Sequence, residues 1–278
     1  MTVTTLPAAV PAAARTRLAE PPGFVASTLV VARRTLVHFM RTPQLLVVAT
    51  VQGAMFLLIF RYVFGGAIGD TDGMSYVDFL VPGYVVTGVL FAGMGASAGV
   101  AEDLQHGVVD RLRSLPIPRA SVAAGRAVAE TALVAWGAIV TTAIGFAVGF
   151  RPAGSVAESL IALGLCIAFG FAFTWLFILI GLVSGSAQAA QGMSLLVFPL
   201  TFVSSAYVPV DSMPGWLQWF AEHQPITAMV DAVRAWVVAD PVATFGESAG
   251  ALTVKALLWS TGLVVVFAPL AISRYRRA

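Results

Sequence analysis

Charged side chains are scarce in this sequence: Asp, Glu, Lys and Arg make up 11% of the 278 residues, against roughly 25% in soluble domains. That leaves too little polar surface for a soluble globule, a disordered chain or a basic face for nucleic acid. Lysine occurs once, at Lys255, behind Val254 where a phosphate-cradling GxxxxGK loop needs glycine. ATP hydrolysis, if it serves this protein, must therefore come from another chain. The single cysteine, Cys166, lies in an apolar run, which excludes an internal disulfide. The three histidines, His38, His106 and His223, stand far apart and form no HExxH pair. No nucleophile–base pair and no metal-ligand cluster emerges, so neither catalytic nor metal-binding residues are expected, and the chain is not read as an enzyme.

Apolar residues are abundant instead, at 58%, with a mean hydropathy of +0.88. A membrane-crossing helix needs about 20 mostly apolar residues. Six such runs lie near Leu45–Phe64, Phe79–Ala101, Thr131–Phe150, Ser159–Val183, Ala187–Tyr207 and Ala256–Ile272; the second, third and fourth contain no charged residue. They are continuously apolar rather than alternating, which excludes a β-barrel. The expected fold class is an all-α polytopic membrane protein with six transmembrane helices. Glycine pairs such as Gly95 and Gly99, Gly145 and Gly149, and Gly181 and Gly185 are read as close helix packing within one protomer.

Arginine placement orients the chain. Arg15, Arg17, Arg33, Arg34 and Arg41 precede the first run, Arg111, Arg113, Arg119 and Arg126 follow the second, and Arg274, Arg276 and Arg277 follow the sixth. Basic residues favour the cytoplasmic side, so both termini are expected inside, in the cytoplasmic membrane. Arg61, Arg151, Arg234 and Lys255 fall on the other side. Ion-coupled carriers place ionisable groups near the membrane midplane; the central runs offer none, so the energy for any transport is expected to enter from outside the bilayer.

Residues 1–20 read as a disordered cytoplasmic tail, 21–42 as an amphipathic interfacial helix and 43–278 as the six-span transmembrane domain. In the second of these, Val25, Leu29, Ala32, Leu36 and Met40 recur at helical spacing opposite Arg34, His38 and Arg41. A helix lying in the membrane surface and a basic helix that merely sets orientation both fit this pattern.

Two segments depart from plain spans. In 102–119, Leu104, Val108, Leu112 and Leu115 fall on one face of a helix, with acidic residues and arginines around the remainder. Gly107 weakens that helix midway, and Pro116 with Pro118 closes it. Such a helix suits a groove on a partner, or serves as a solvated connector. The outer segment 208–240, broken by Pro209, Pro214 and Pro225, still carries Met213, Trp216, Trp219 and Phe220. Further along it, Ile226, Met229, Val230, Val233, Trp236 and Val237 repeat at helical spacing, with Asp231 and Arg234 on the other face. This reads as short helices dipping into the outer leaflet, with Trp216, Trp219 and Trp236 at the interface, or as an external hairpin covering the bundle.

At these two segments the chain resembles the type-2 ATP-binding-cassette exporter permeases, particularly their daunorubicin-resistance branch of actinobacterial drug and lipid exporters. That family carries Glu-Arg, Gly, Arg-Leu, then Pro and a basic residue after its second span; here stand Glu102-Asp103, Gly107, Arg111-Leu112, Pro116 and Arg119, with Asp103 where arginine is common. Phe198-Pro199-Leu200, Ser204 to Pro209, Met213 to Leu217, His223 to Ile226 and Ala232-Val233-Arg234 are also similar, His223-Gln224-Pro225 standing where many relatives have Asn-Pro.

The resemblance implies a dimeric permease, with an identical or paralogous second protomer and a separate ATP-binding-cassette ATPase that binds ATP and magnesium. Besides membrane lipids, these are the partners expected. Glu102, Asp103, Leu104, His106, Gly107, Val108, Asp110, Arg111, Leu112, Arg113 and Pro116 would couple to the ATPase, which the N-terminal helix would also touch. Pro209, Met213, Pro214, Trp216, His223 and Pro225 would belong to the outer gate. A substrate path between spans two and five is assigned to Tyr84, Thr87, Phe91, Gln191, Phe198, Thr201 and Ser204. The expected function is the membrane subunit of an ATP-driven exporter of an amphipathic drug, antibiotic or lipid. Its alternatives are export of a lipid-linked or surface polysaccharide, and a non-transporting scaffold or immunity protein.

Overall fold

The computed structural model describes residues 23–65 and 75–277; residues 1–20, expected to be a tail, lie outside them. Among the described residues the chain is helical throughout, with no strand. In lipid this is the natural outcome, since a helix satisfies its own backbone polar groups where no water can. The helices are α1 (Phe24–Met40), α2 (Pro43–Ile59), α3 (Tyr76–Gln105), α4 (Val108–Arg113), α5 (Arg119–Val148), α6 (Val156–Val183), α7 (Ala187–Ser194), α8 (Val197–Phe202), α9 (Gly215–Glu222), α10 (Pro225–Ala235), α11 (Pro241–Phe245) and α12 (Ala249–Arg277).

Four of them, α3, α5, α6 and α12, are long and apolar enough to cross a membrane. The first apolar run is the 17-residue α2, continued by a π-helical turn, Phe60–Phe64. The fifth run is not one helix. Pro199 has no N–H to offer the Leu195 carbonyl, which accepts instead from Phe198 N at 2.9 Å, and the chain breaks between α7 and α8. The third run is longer at its start than expected. Helix α5 begins at Arg119, which brings Arg126 and Glu130 inside the helix.

Helices α3 and α6 form the centre, with α5, α7, α10 and α12 packed around them. Leu80, Val86, Leu90, Phe169, Phe177 and Met229 are fully buried there. Gly99, Gly145 and Gly181 each face side chains or backbone of other helices in the same chain, as within-protomer packing requires. Helix α6 starts in a capping box: the Ser155 hydroxyl accepts from Glu158 N at 3.3 Å, and Glu158 Oε2 accepts from Ser155 N at 2.5 Å.

Helix α1 lies along α5 through Ser27, Thr28, Val31, Ala32 and Thr35. The expected apolar row is split: Ala32 is buried against α5, whereas Val25, Leu29 and Met40 are exposed. At the opposite end of the bundle, α10 is buried nearly all round against α3, α6 and α12. It is wedged beside the residues that follow α8, where α3 and the Ala206 backbone come so close that a Cβ on Gly83 would lie 2.2 Å from the Ala206 carbonyl oxygen. Replacing Gly83 with Val is expected to cost about 1–3 kcal/mol, read as an earlier thermal loss of monodisperse protein in detergent than for the native chain. Unchanged stability would contradict this packing.

Candidate functional site

The segment between α3 and α5 does not form the single helix that its leucine spacing suggests. Glu102, Asp103 and Leu104 complete the last turn of α3, and His106 caps it. Gly107 then takes φ 66°, a left-handed conformation that glycine adopts without a Cβ clash, and the chain turns into α4. The row Leu104, Val108, Leu112, Leu115 is thereby broken. Leu104 and Leu112 pack inward with the buried Val109 onto a cluster holding Val122, Ile178, Ala271 and Tyr275, while Leu115 is exposed. The outward surface is polar instead: Glu102, His106, Asp110 and Arg111 are exposed, as is Pro116. Tyr275 belongs to α12, so α4 rests on the ends of α5 and α12 at once.

Beside this segment runs an ionic chain across three helices. Arg126 on α5 pairs with Glu130 at 2.7 Å and with Asp103 at 3.0 Å, and Asp103 meets Arg34 of α1 at 3.4 Å. Glu130 is 2% exposed. A buried charge is tolerated only when it is paired, and here each carboxylate faces a guanidinium. Asp103, which departs from the family pattern, thus has a role in tying α1, α3 and α5 together. Arg126 counts in the sequence as a loop charge; its seven-residue distance from the helix start hides its burial.

At the opposite end, the expectation that Asp231 and Arg234 would face away from the bundle is overturned for Arg234, which is 1% exposed. Its Nε and Nη2 donate to the Phe79 carbonyl at 3.2 and 2.9 Å, and Nη2 also donates to the Ser205 carbonyl at 3.0 Å. The guanidinium carbon sits 3.9 Å over the Phe79 ring, and Nη1 lies 3.7 Å from Asp231 Oδ1. The Ser205 hydroxyl donates to Asp231 at 2.6 Å. Loss of solvation raises the Asp231 carboxyl above the ordinary carboxylate range, against the opposing pull of Arg234 and Ser205. Phe79 on α3 and Ser205 after α8 supply the acceptors that a turned-in arginine needs, and no helical period reveals them.

The residues expected at the outer gate are distributed along the short helices. Pro209 and Pro214 precede the 3₁₀ turn Val210–Ser212 and α9, and Pro225 opens α10. Met213 is half-buried. Trp216 and Trp219 are 77% and 66% exposed, whereas Trp236 is half-buried and donates to Thr253 of α12 at 2.8 Å. His223 stacks on Trp219 at 5.1 Å, its Nδ1 2.8 Å from the Trp219 carbonyl. Gln224, buried, donates to the Leu200 and Val203 carbonyls, so it fastens α10 to the end of α8.

The seven residues assigned to a path divide into two groups. Tyr84, Thr87, Thr201 and Ser204 are buried, and their hydroxyls are used inside the protomer: Tyr84 donates to the Gly53 carbonyl at 2.8 Å, and Thr87 accepts from Tyr207 at 2.8 Å. Thr201 and Ser204 donate to Phe198 and Thr201 carbonyls. Phe91, Phe198 and Gln191 reach the surface. Phe91 and Phe198 meet at 5.6 Å, and the contact continues through Phe202 and Tyr207 to Phe60, with ring spacings of 5.0, 5.1 and 4.9 Å. Phe60, Phe202 and Tyr207 escaped the sequence reading; the π-helical turn that points Phe60 here has no sequence signature.

Residues 26–237 match a family described as ABC-2 type transporter. The chain is 31% identical, over 91% of its length and 87% of the relative's, to the daunorubicin resistance ABC transporter permease protein DrrB1 of Streptomyces coeruleorubidus. It is 28% identical, over 92% and 90%, to the probable doxorubicin resistance ABC transporter permease protein DrrC of Mycobacterium tuberculosis. Against the inner membrane transport permease YadH of Escherichia coli, identity is 28% over 71% and 77%.

Arg126→Met strands Glu130 without its counter-charge, at an expected cost of roughly 3–5 kcal/mol. Adding Glu130→Met should recover most of that loss in a thermal-stability comparison. A double variant no better than the single one would refute the pairing.

Proposed function

Because the chain belongs to the ABC-2 type transporter family and is a multi-pass membrane protein, we propose that it is the permease through which a drug-like amphipathic compound is exported, driven by ATP hydrolysed on a separate subunit. The relatives named for daunorubicin and doxorubicin resistance support the export of such a compound. The observation that carries the coupling role is the arrangement of α4. Its apolar side chains hold it to α5 and α12, and its polar residues are left outward for a partner.

In this reading the ATPase, with its bound ATP and magnesium, engages Glu102, His106, Asp110 and Arg111. A displacement of α4 passes through Val109 and Leu112 to α5 and α12, and through Gly107 to α3. The ionic chain from Arg34 to Glu130 makes α1 move with them. Six crossings are assigned, α2 with its π turn and the broken α7–α8 being the first and fifth, with both termini in the cytoplasm. Helix α1 lies in the cytoplasmic membrane surface, where its exposed Val25, Leu29 and Met40 meet lipid. The short helices at 208–240 close the outer end. The permease works as a dimer.

Phe91 and Phe198 are assigned to the substrate path, since their rings meet at the protomer surface and continue inward to Tyr207. An aromatic pair is worth about 0.5–1.5 kcal/mol, so Phe91→Ala should raise the concentration for half-maximal transport of an anthracycline by about two- to tenfold. Identical transport curves would remove Phe91 from the path.

Co-purification with the cognate ATPase tests the function as a whole. Glu102→Arg with Arg111→Glu is expected to abolish association while thermal stability stays native. Full association by that variant would displace the coupling role from α4. Sidedness is tested with single cysteines introduced into intact cells. An impermeant maleimide should label Ser248→Cys directly and Ser114→Cys only after permeabilisation; the reverse pattern would invert the topology.

A further inference from the structure

A cleft of about 590 Å³ opens between α1, the end of α3 and α5, and its lining is strongly biased in charge. Arg33, Arg34, His38 and Arg41 of α1 face Arg126, with Asp103 the carboxylate among them. Arg126 is neutralised by Glu130 behind it, and Asp103 is shared with Arg34. Arg33 and Arg41 have no ion-pair partner among the described residues. The cleft therefore keeps about two positive charges that the fold does not balance.

Apart from Thr35, its other lining is apolar. Val30 and Val37 form part of the wall, and Val30 is 69% exposed, next to the outward Phe24, Val25 and Leu29. The depth also fits. Helix α5, with 30 residues, is about 45 Å long against a hydrocarbon core of about 30 Å. Arg126, two turns from its start, then falls at the level of the headgroups rather than among the acyl chains.

We propose that this cleft binds the phosphate headgroup of an anionic membrane lipid, with its acyl chains lying along the apolar side of α1. Guanidinium groups such as those of Arg33 and Arg41, which stand outside the ion pairs, can hold phosphate oxygens bidentately, and the volume falls within the usual range for small-ligand sites. A cationic compound is disfavoured by the same charges. The bound lipid bridges α1 to α3 and α5 and so sets the position of α1. This inference requires that the chain be embedded in a membrane; it does not depend on the ATPase reading.

The test is a lipid titration of the purified, delipidated full chain followed by native mass spectrometry, with phosphatidylglycerol, phosphatidylcholine and inorganic phosphate as separate probes. Neutralising one basic residue at a membrane surface weakens anionic-lipid binding about fivefold. Arg33→Gln with Arg41→Gln removes two exposed charges outside the ion pairs and should weaken binding of the first phosphatidylglycerol by about twenty- to thirtyfold. Arg274→Gln with Arg276→Gln, which removes as much charge outside the cleft, should leave it within about twofold. Phosphatidylcholine should bind far more weakly to the native chain. Equal losses in the two double variants would reduce the effect to general surface charge and overturn the site. Inorganic phosphate displacing the lipid at comparable affinity would make the occupant a free phosphate compound. If Arg33→Gln with Arg41→Gln abolished ATPase association but left lipid binding intact, the cleft would be a protein contact instead.

Discussion

Burying most of a guanidinium is possible only if oxygen atoms are brought to it, and this chain does so twice, at Arg126 and Arg234. Arg126 gathers Glu130 from its own helix and Asp103 from α3, and Asp103 in turn holds Arg34 of α1. Arg234 gathers the carbonyls of Phe79 and Ser205 with the carboxylate of Asp231. Association of helices in lipid has little hydrophobic drive, because the acyl chains are as apolar as the side chains. The two arginines therefore supply directional contacts at opposite ends of a bundle whose middle is held by close packing of Val, Phe and Gly.

The two ends differ in what they leave exposed. Around Arg234 the chain is closed: α10 is buried against three helices, Gln224 and Trp236 tie it to α8 and α12, and the Ala153 amide donates to the Val237 carbonyl at 2.9 Å. Around Arg126 the surface stays polar and open, with the short α4 resting on two long helices and turning its charges outward. The outward apolar surface of α5 and α12, including Trp136, Ile139, Leu258 and Val265, suits contact with lipid.

Much of the fold was readable because lipid imposes simple rules. Four of the six apolar runs became long helices that contain most of each expected run, two of them starting well before it, since about 20 apolar residues in sequence have no other stable arrangement in a bilayer. Pro199 broke the fifth run in a way the run's hydropathy conceals. Gly107 was recognised as a weak point, yet whether it loosens a helix or reverses the chain depends on φ, which composition does not reveal. The leucine row from Leu104 to Leu115 misled because its period presumed a helix that continues through that glycine.

The amino-acid sequence alone determined that this protein lives in a membrane, that its energy comes from outside its own spans, and that its segments at 102–119 and 208–240 are special; scarcity of charge and continuous apolar runs are properties of composition and order. The tertiary structure decided which charges are buried. Arg126 and Arg234 look like Arg111 and Arg151 in a sequence, and besides Glu130, one turn along the same helix, it is the approach of Asp103, Phe79 and Ser205 from distant positions that makes their burial affordable. It also decided that the segment around α4 turns charge rather than leucine outward. Partners separated by twenty to one hundred and fifty residues leave no local pattern, because their meeting depends on how helices pack rather than on any one helix's period.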